Sequence, residues 1–191
     1  MAVELVTTAQ AWVGLSSDTK PASPPVGSTF LETDTGALYV YAGGSWKFKP
    51  SGNLLRASKT RTFTGAANLG QAGTNTTWFT VTGEVLVLFI VGFCTTDLTE
   101  AAATATITLG ITGETALFIA ATNAVTIDAN EFWVDTTPVL DREILPAAVK
   151  DIAISADVVS AVAAQNINGG TLRIDCWWLP LSADGNVVPA S

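Results

Sequence analysis

Runs of β-branched and aromatic residues broken by glycine, asparagine, aspartate and proline recur along the chain, and apolar and polar positions alternate with the period of two that a half-buried strand requires. The densest pattern lies at Gly27 to Phe48, GSTFLETDTGALYVYAGGSWKF. There Thr29 to Glu32, Ala37 to Tyr41 and Ser45 to Lys49 predict three strands, separated by Thr33-Asp34-Thr35-Gly36 and Ala42-Gly43-Gly44. Glycine supplies positive φ in such separators and an aspartate carboxylate accepts from nearby backbone, so the segment predicts a β-meander. Phe30, Leu38, Val40, Trp46 and Phe48 are expected on one face. Three strands of this size bury too little to stand alone. Upstream, residues 1 to 13 predict an extended arm anchored by Trp12, and Pro21, Pro24 and Pro25 make Ser16 to Ser28 a stiff connector. Lys49 to Asn53 ends the sheet, and Leu54 to Thr60 reads as a boundary between a small unit, residues 1–60, and a larger one, residues 61–191.

The larger unit also reads as all-β. Thr76 to Thr82 is a strand, and Val85 to Cys94 is apolar on both faces, as a strand covered on both sides would be. In Ala103 to Ile111, Thr104, Thr106 and Thr108 alternate with Ala105, Ile107 and Leu109. Thr115 to Ala121, Val125 to Ile127, Phe132 to Val134 and Pro138 to Leu140 follow as shorter runs. Ile144 to Ile154 admits a helical turn at Leu145 to Lys150 or a strand at Asp151 to Ser155, and Gly170 to Leu179 reads as a long closing strand. About eight strands of this kind predict a jelly-roll-like two-sheet β-sandwich.

Composition and charge sharpen this picture. Of 191 residues, 48% are hydrophobic and 14% charged, so the chain buries a substantial core and presents little charge to keep neighbours away. Through residue 61 six cations face four acids, whereas residues 62 to 191 hold three cations against thirteen acids, which accounts for the net charge of −8. So acidic a body repels phosphate backbones, and nucleic acid is not an expected partner. No secretory signal is visible at the N-terminus, and the apolar run Val85 to Phe93 is too short to span a bilayer, so no membrane is expected and synthesis in the cytoplasm is. Cys94 and Cys176 are expected as buried free thiols, although both lie in strand-like segments that one sheet could bring together.

The chain contains no histidine, which removes imidazole-based triads and the common catalytic zinc sites. Asp141 and Glu143, two apart on a strand, share a direction and could form a carboxylate pair or bind calcium, as could Asp128-Ala129-Asn130-Glu131. A solvated edge is the preferred reading of both, and Asp97 to Glu100 and Asp184-Gly185-Asn186 read as turns. No catalytic, metal or cofactor site is therefore assigned. Trp177 and Trp178 are adjacent on one strand, so their side chains leave on opposite faces and only one can join the inner core. The pair is the candidate oligomer interface; a sugar-binding platform is the weaker alternative.

Residues 13 to 46 resemble a module of tailed-bacteriophage virion proteins, head-decoration and tail-appendage proteins among them. The resemblance rests on Val13-Gly14-Leu15-Ser16-Ser17-Asp18-Thr19-Lys20-Pro21, Val26-Gly27-Ser28-Thr29-Phe30, Glu32-Thr33-Asp34-Thr35-Gly36, Leu38-Tyr39-Val40-Tyr41 and Gly44-Ser45-Trp46. It implies a virion role without chemistry. The expectation is a cement protein on the capsid exterior that bridges capsomers, binds the major capsid protein and forms a homo-oligomer, a trimer by analogy. Trp12, Phe30, Tyr39, Tyr41 and Trp46 are the expected capsid-docking anchors. The alternative is a head- or tail-fibre appendage that binds a host receptor or carbohydrate, and a polysaccharide-cleaving enzyme is the weakest reading.

Overall fold

The computed structural model describes residues 8–49, 54–135, 137–142 and 146–191, and the chain is all-β, with two short 3-10 turns at Ala124–Thr126 and Pro146–Ala148. It divides into two compact units, Met1–Arg56 and Ala57–Ser191. Residues 1 to 7 of the expected arm and residues 50 to 53 lie outside the described residues.

In the first unit, β1 (Ala11–Gly14), β2 (Thr29–Glu32), β3 (Leu38–Ala42) and β4 (Ser45–Phe48) form one sheet in that order. The meander β2-β3-β4 is antiparallel, and the arm adds β1 as a parallel fourth strand, paired from Ala11↔Thr29 to Gly14↔Glu32. Gly43 and Gly44, at φ +59° and +81°, close the two-residue turn between β3 and β4 and set the register there. Tyr41 thereby faces Trp46, and Tyr39 stands between Phe30 and Phe48. This corrects the expected face. Leu38 and Val40 alternate with Tyr39 and Tyr41, so they lie on the opposite side from Phe30, Trp46 and Phe48.

The second unit is a two-sheet sandwich. Its strands are β5 (Leu55–Thr62), β6 (Asn75–Thr82), β7 (Val85–Glu100), β8 (Thr106–Ile111), β9 (Glu114–Asn123), β10 (Glu131–Val134), β11 (Thr137–Leu140), β12 (Val149–Ile154), β13 (Val158–Ala163), β14 (Ile167–Pro180) and β15 (Asn186–Pro189). One sheet runs β11-β10-β7-β14-β5, with β12 also on β7; the other runs β15-β6-β13-β8-β9. Numbering the eight principal strands in chain order, leaving out β11, β12 and β15, gives 1-8-3-6 facing 2-7-4-5. That is the order of a jelly roll.

The core lies between the sheets. Ile90, Cys94, Leu172, Ile174, Cys176 and Trp178 come from one sheet, and Trp78, Ile107, Leu109, Ile119, Val158 and Val162 from the other, all essentially without solvent contact. Each such apolar side chain stabilises the fold by roughly 1.5–3 kcal/mol. Trp133 crosses the gap: its indole Nε1 donates to Thr122 Oγ1 of the facing sheet at 2.9 Å. Gly92 makes room for it, since a Cβ there would come within 2.9 Å of the Trp133 ring. At the margin, Arg61 of β5 donates from Nε and Nη2 to the Thr77 carbonyl (3.1 and 2.8 Å) and from Nη2 to the Ser191 carbonyl at 2.9 Å.

Several expectations change. The segment Leu54 to Thr60, expected as a boundary, is largely strand β5, and the two units divide within it at Arg56/Ala57. Val125 to Ile127 belongs to a 3-10 turn because the Asn123 side chain accepts from the Val125 amide and caps it. The ambiguous stretch after Ile144 is both things in turn, a 3-10 turn and then β12. The long strand β14 does not close the chain, since β15 returns to pair with β6. Strand β7 is not covered on both sides: Leu86, Leu88, Phe89 and Phe93 are only half-buried.

Trp78 and Trp178 are both buried, but only Trp78 has a partner for its indole N–H, the Ser160 hydroxyl at 2.9 Å; Trp178 Nε1 has none among the described residues. Replacing either by Phe removes similar volume, but only Trp78→Phe removes a hydrogen bond. Urea unfolding should therefore show Trp178→Phe to be the milder change by about 1–2 kcal/mol.

Candidate functional site

The anchors expected to dock are gathered into one cluster in the first unit. Trp46 is its centre, with ring centroids 5.9 Å from Trp12, 6.0 Å from Phe30 and 5.4 Å from Tyr41, all edge-on. Tyr39 packs edge-on against Phe48 at 5.7 Å. Phe30 and Tyr41 are buried, whereas Trp12, Tyr39 and Trp46 are half-buried. The proline-containing connector lies across them: Trp46 Nε1 donates to the Pro21 carbonyl at 2.9 Å and the Tyr41 hydroxyl to the Ala22 carbonyl at 3.2 Å. These aromatics form the core of the module, which leaves Phe30 and Tyr41 no surface for a partner.

The polar residues of the motif are engaged in the same way. Lys20 Nζ pairs with Glu32 Oε1 at 2.7 Å and lies over the rings of Tyr39 (4.3 Å) and Phe30 (5.0 Å). Thr35 Oγ1 donates to the other Glu32 oxygen at 2.6 Å, so a carboxylate with 3% side-chain exposure is held from both sides. Asp18 accepts from the Leu15 amide, Asp34 accepts from both the amide and the hydroxyl of Ser16, and Thr33 bonds the Gly14 carbonyl. Burial, reinforced by the Glu32 charge and a hydrogen bond to it, pushes the Tyr39 phenol up to about 12.

In the second unit the tryptophan pair separates as strand geometry demands. Trp178 fills the core at 1% exposure, and Trp177, across a register shift in the β7–β14 ladder, turns to the outer face. Of the two expected interface residues, only Trp177 reaches a surface. There it meets Phe89 edge-on at 4.9 Å, beside Val91, Val134, Ala148, Phe132 and Val139. Phe93 packs on Phe132 at 5.2 Å, and the Arg173 guanidinium lies 5.0 Å above the Phe93 ring while its Nε holds Asp175 at 2.8 Å. The adjacent tryptophans signalled two faces; the aromatic company of Trp177 comes from β7 and β10 and was not singled out from the sequence.

The acidic candidates are dispersed. Asp141 is exposed, and Glu143 lies outside the described residues. Asp97 to Glu100, expected as a turn, instead form the end of β7, and Asp97 accepts from the Ala129 amide, 32 residues on; Glu131 accepts from the Asp128 amide and Asp184 from the Ser182 hydroxyl, both local bonds. No group of three or more His, Cys, Asp or Glu side chains suited to a metal occurs among the described residues. Cys94 and Cys176 are free and buried; they stand opposite Leu172 and Ile90 on neighbouring strands, out of register with each other. Burial raises both thiols, to about 11 and about 12. A polar cleft of about 490 Å³ is lined by Arg61, Asn68, Asn75, Thr77, Thr80 and Asp157, among others. Sequence reading did not find it, because its walls come from segments far apart in the chain.

No protein-family model matches the chain, and no curated protein matches it.

Two outcomes follow from the Lys20 cluster. Removing the cation by Lys20→Ala leaves the Glu32 carboxylate buried without its ion-pair partner, facing the Thr35 and Tyr39 hydroxyls, and should destabilise the first unit by about 3–5 kcal/mol, read from tryptophan fluorescence during unfolding. The folded Tyr39 phenol titrates near 12 against an ordinary 10.0. Its contribution to stability is therefore complete below pH 10 and is lost as pH rises through 12. Near-ultraviolet absorbance should show Tyr39 ionising late, together with unfolding of the module.

Proposed function

We propose that this chain is a non-enzymatic structural protein of a tailed-bacteriophage virion, a decoration or cement protein on the capsid exterior. In this reading the jelly roll self-associates, as a trimer, and the N-terminal module attaches the oligomer to the major capsid protein. The resemblance at residues 13 to 46 supports the virion setting. The observation that carries the mechanism is the outer face of the β7–β14 sheet, where Trp177, Phe89 and Phe132 cover a small buried cluster of Val91, Val134 and Ala148 and, with Phe93, remain only half-buried, leaving aromatic surface that a partner subunit could cover. Aromatic residues and arginine are enriched at the centres of subunit interfaces, and Arg173 over Phe93 adds the latter. An oligomer repeats one modest contact several times, so a weak dock becomes firm attachment.

The polar cleft beside Arg61 favours a second reading, a head- or tail-fibre appendage that binds a carbohydrate. Its asparagine, threonine, arginine and aspartate side chains match the hydrogen-bonding needs of sugar hydroxyls.

Mass measurement in solution should give an oligomer for the natural chain and a folded monomer for Trp177→Ser, because an interface aromatic of this kind contributes about 2 kcal/mol or more. The same substitution should reduce retention on undecorated capsids. A natural chain that is monomeric and fails to bind capsids overturns the cement reading; saturable binding of host saccharides abolished by Asn75→Ala and Thr80→Ala would support the appendage.

A further inference from the structure

The module's sheet has a second face, and the motif residues do not use it. Two rows of side chains cross it: Val13, Leu31 and Leu38 in one, and Ala11, Thr29, Val40 and Lys47 in the other. Val13 is 71% exposed and Leu31 38%, and Leu38 and Val40 are half-buried. Alternation along β4 places Ser45, Lys47 and Lys49 on this side, and both lysines are exposed. The charges differ between the two faces. Glu32 lies on the aromatic face bound to Lys20, and Asp18 and Asp34 are held by Leu15 and Ser16, so neither row contains a carboxylate.

We infer that this face, centred on Val13, Leu31, Leu38 and Val40, is the module's docking surface, and that its partner is a protein surface with an apolar centre and carboxylates along the side that meets Lys47 and Lys49. The apolar rows supply the area removed from water, and the two lysines, without an ion pair among the described residues, favour an acidic rim and orient the contact. The inference deepens the proposed function and rests on its reading of the module as the attachment element. It replaces the expected anchors Phe30 and Tyr41, which are enclosed, with residues that present their side chains outward.

The test uses full-length protein and virions assembled without it, so that heads and tails are both offered. Three forms are compared: the natural chain, Val13→Glu with Leu31→Glu, and Lys47→Glu with Lys49→Glu. All substituted residues but Leu31 are well exposed, and unchanged melting of both variants confirms that they fold. The apolar-face variant should lose at least about tenfold in retention, the size of effect expected from central contacts. The lysine variant should weaken binding and lose its dependence on salt. If the natural chain labels heads and both variants still bind, the docking face is wrong while the cement reading stands. If it labels tails and both variants fail, the face is right and the cement reading falls. Binding to neither particle, or binding to anionic vesicles or DNA that the lysine variant abolishes, overturns the inference.

Discussion

An extended strand sends successive side chains to opposite faces of its sheet, and each sheet in this chain covers one face more completely than the other. In the jelly roll, the faces turned toward each other exclude solvent from Trp78, Trp133 and Trp178. In the module, the connector from Lys20 to Ala22 takes the place of a second sheet and lies over Trp46, Tyr41 and Tyr39. What remains is one outward face on each unit with more apolar side chain than a lone strand pattern needs.

The module shows how a small sheet is made to stand. Four short strands bury little area, and the connector closes over them with a partly buried cation set against two aromatic rings. Lys20 is desolvated against Phe30 and Tyr39, and that cost is offset by Glu32, which is itself held by Thr35. The residues that make the segment recognisable are therefore those that close it on itself. A motif can mark a fold without marking the surface that the fold presents.

How much of this was legible in the sequence depended on how local each signal was. The meander declared itself because Gly43, Gly44 and Gly36 sit where their turns need them. Strand β1 did not, because its partner β2 lies beyond a proline-containing connector and parallel pairing leaves no local trace. Leu38 and Val40 were assigned to the wrong side because Tyr39 and Tyr41 are equally able to be buried, and the choice was made by Trp12 and the connector. β13, Val-Val-Ser-Ala-Val-Ala, has small residues and no aromatic, and β15 is four residues ending in proline; β13 is held between β6 and β8, and β15 on the other side of β6, by partners distant in the chain. Adjacent tryptophans on one strand had to point apart, but which of them faced inward depended on a register shift that spacing alone does not encode.

Strand β5, which opens the jelly roll, is hydrogen-bonded to β14 at the edge of its sheet. A pull on the module is thus delivered to the body along a strand at a sheet edge, where bonds to β14 can be peeled in sequence. Arg61 lies six residues into that strand and grips the Thr77 carbonyl of the other sheet together with the last residue of the chain. It acts as a rivet. Tension that reaches it is shared between both sheets, so peeling of β5 from its first residue meets a barrier at a single guanidinium.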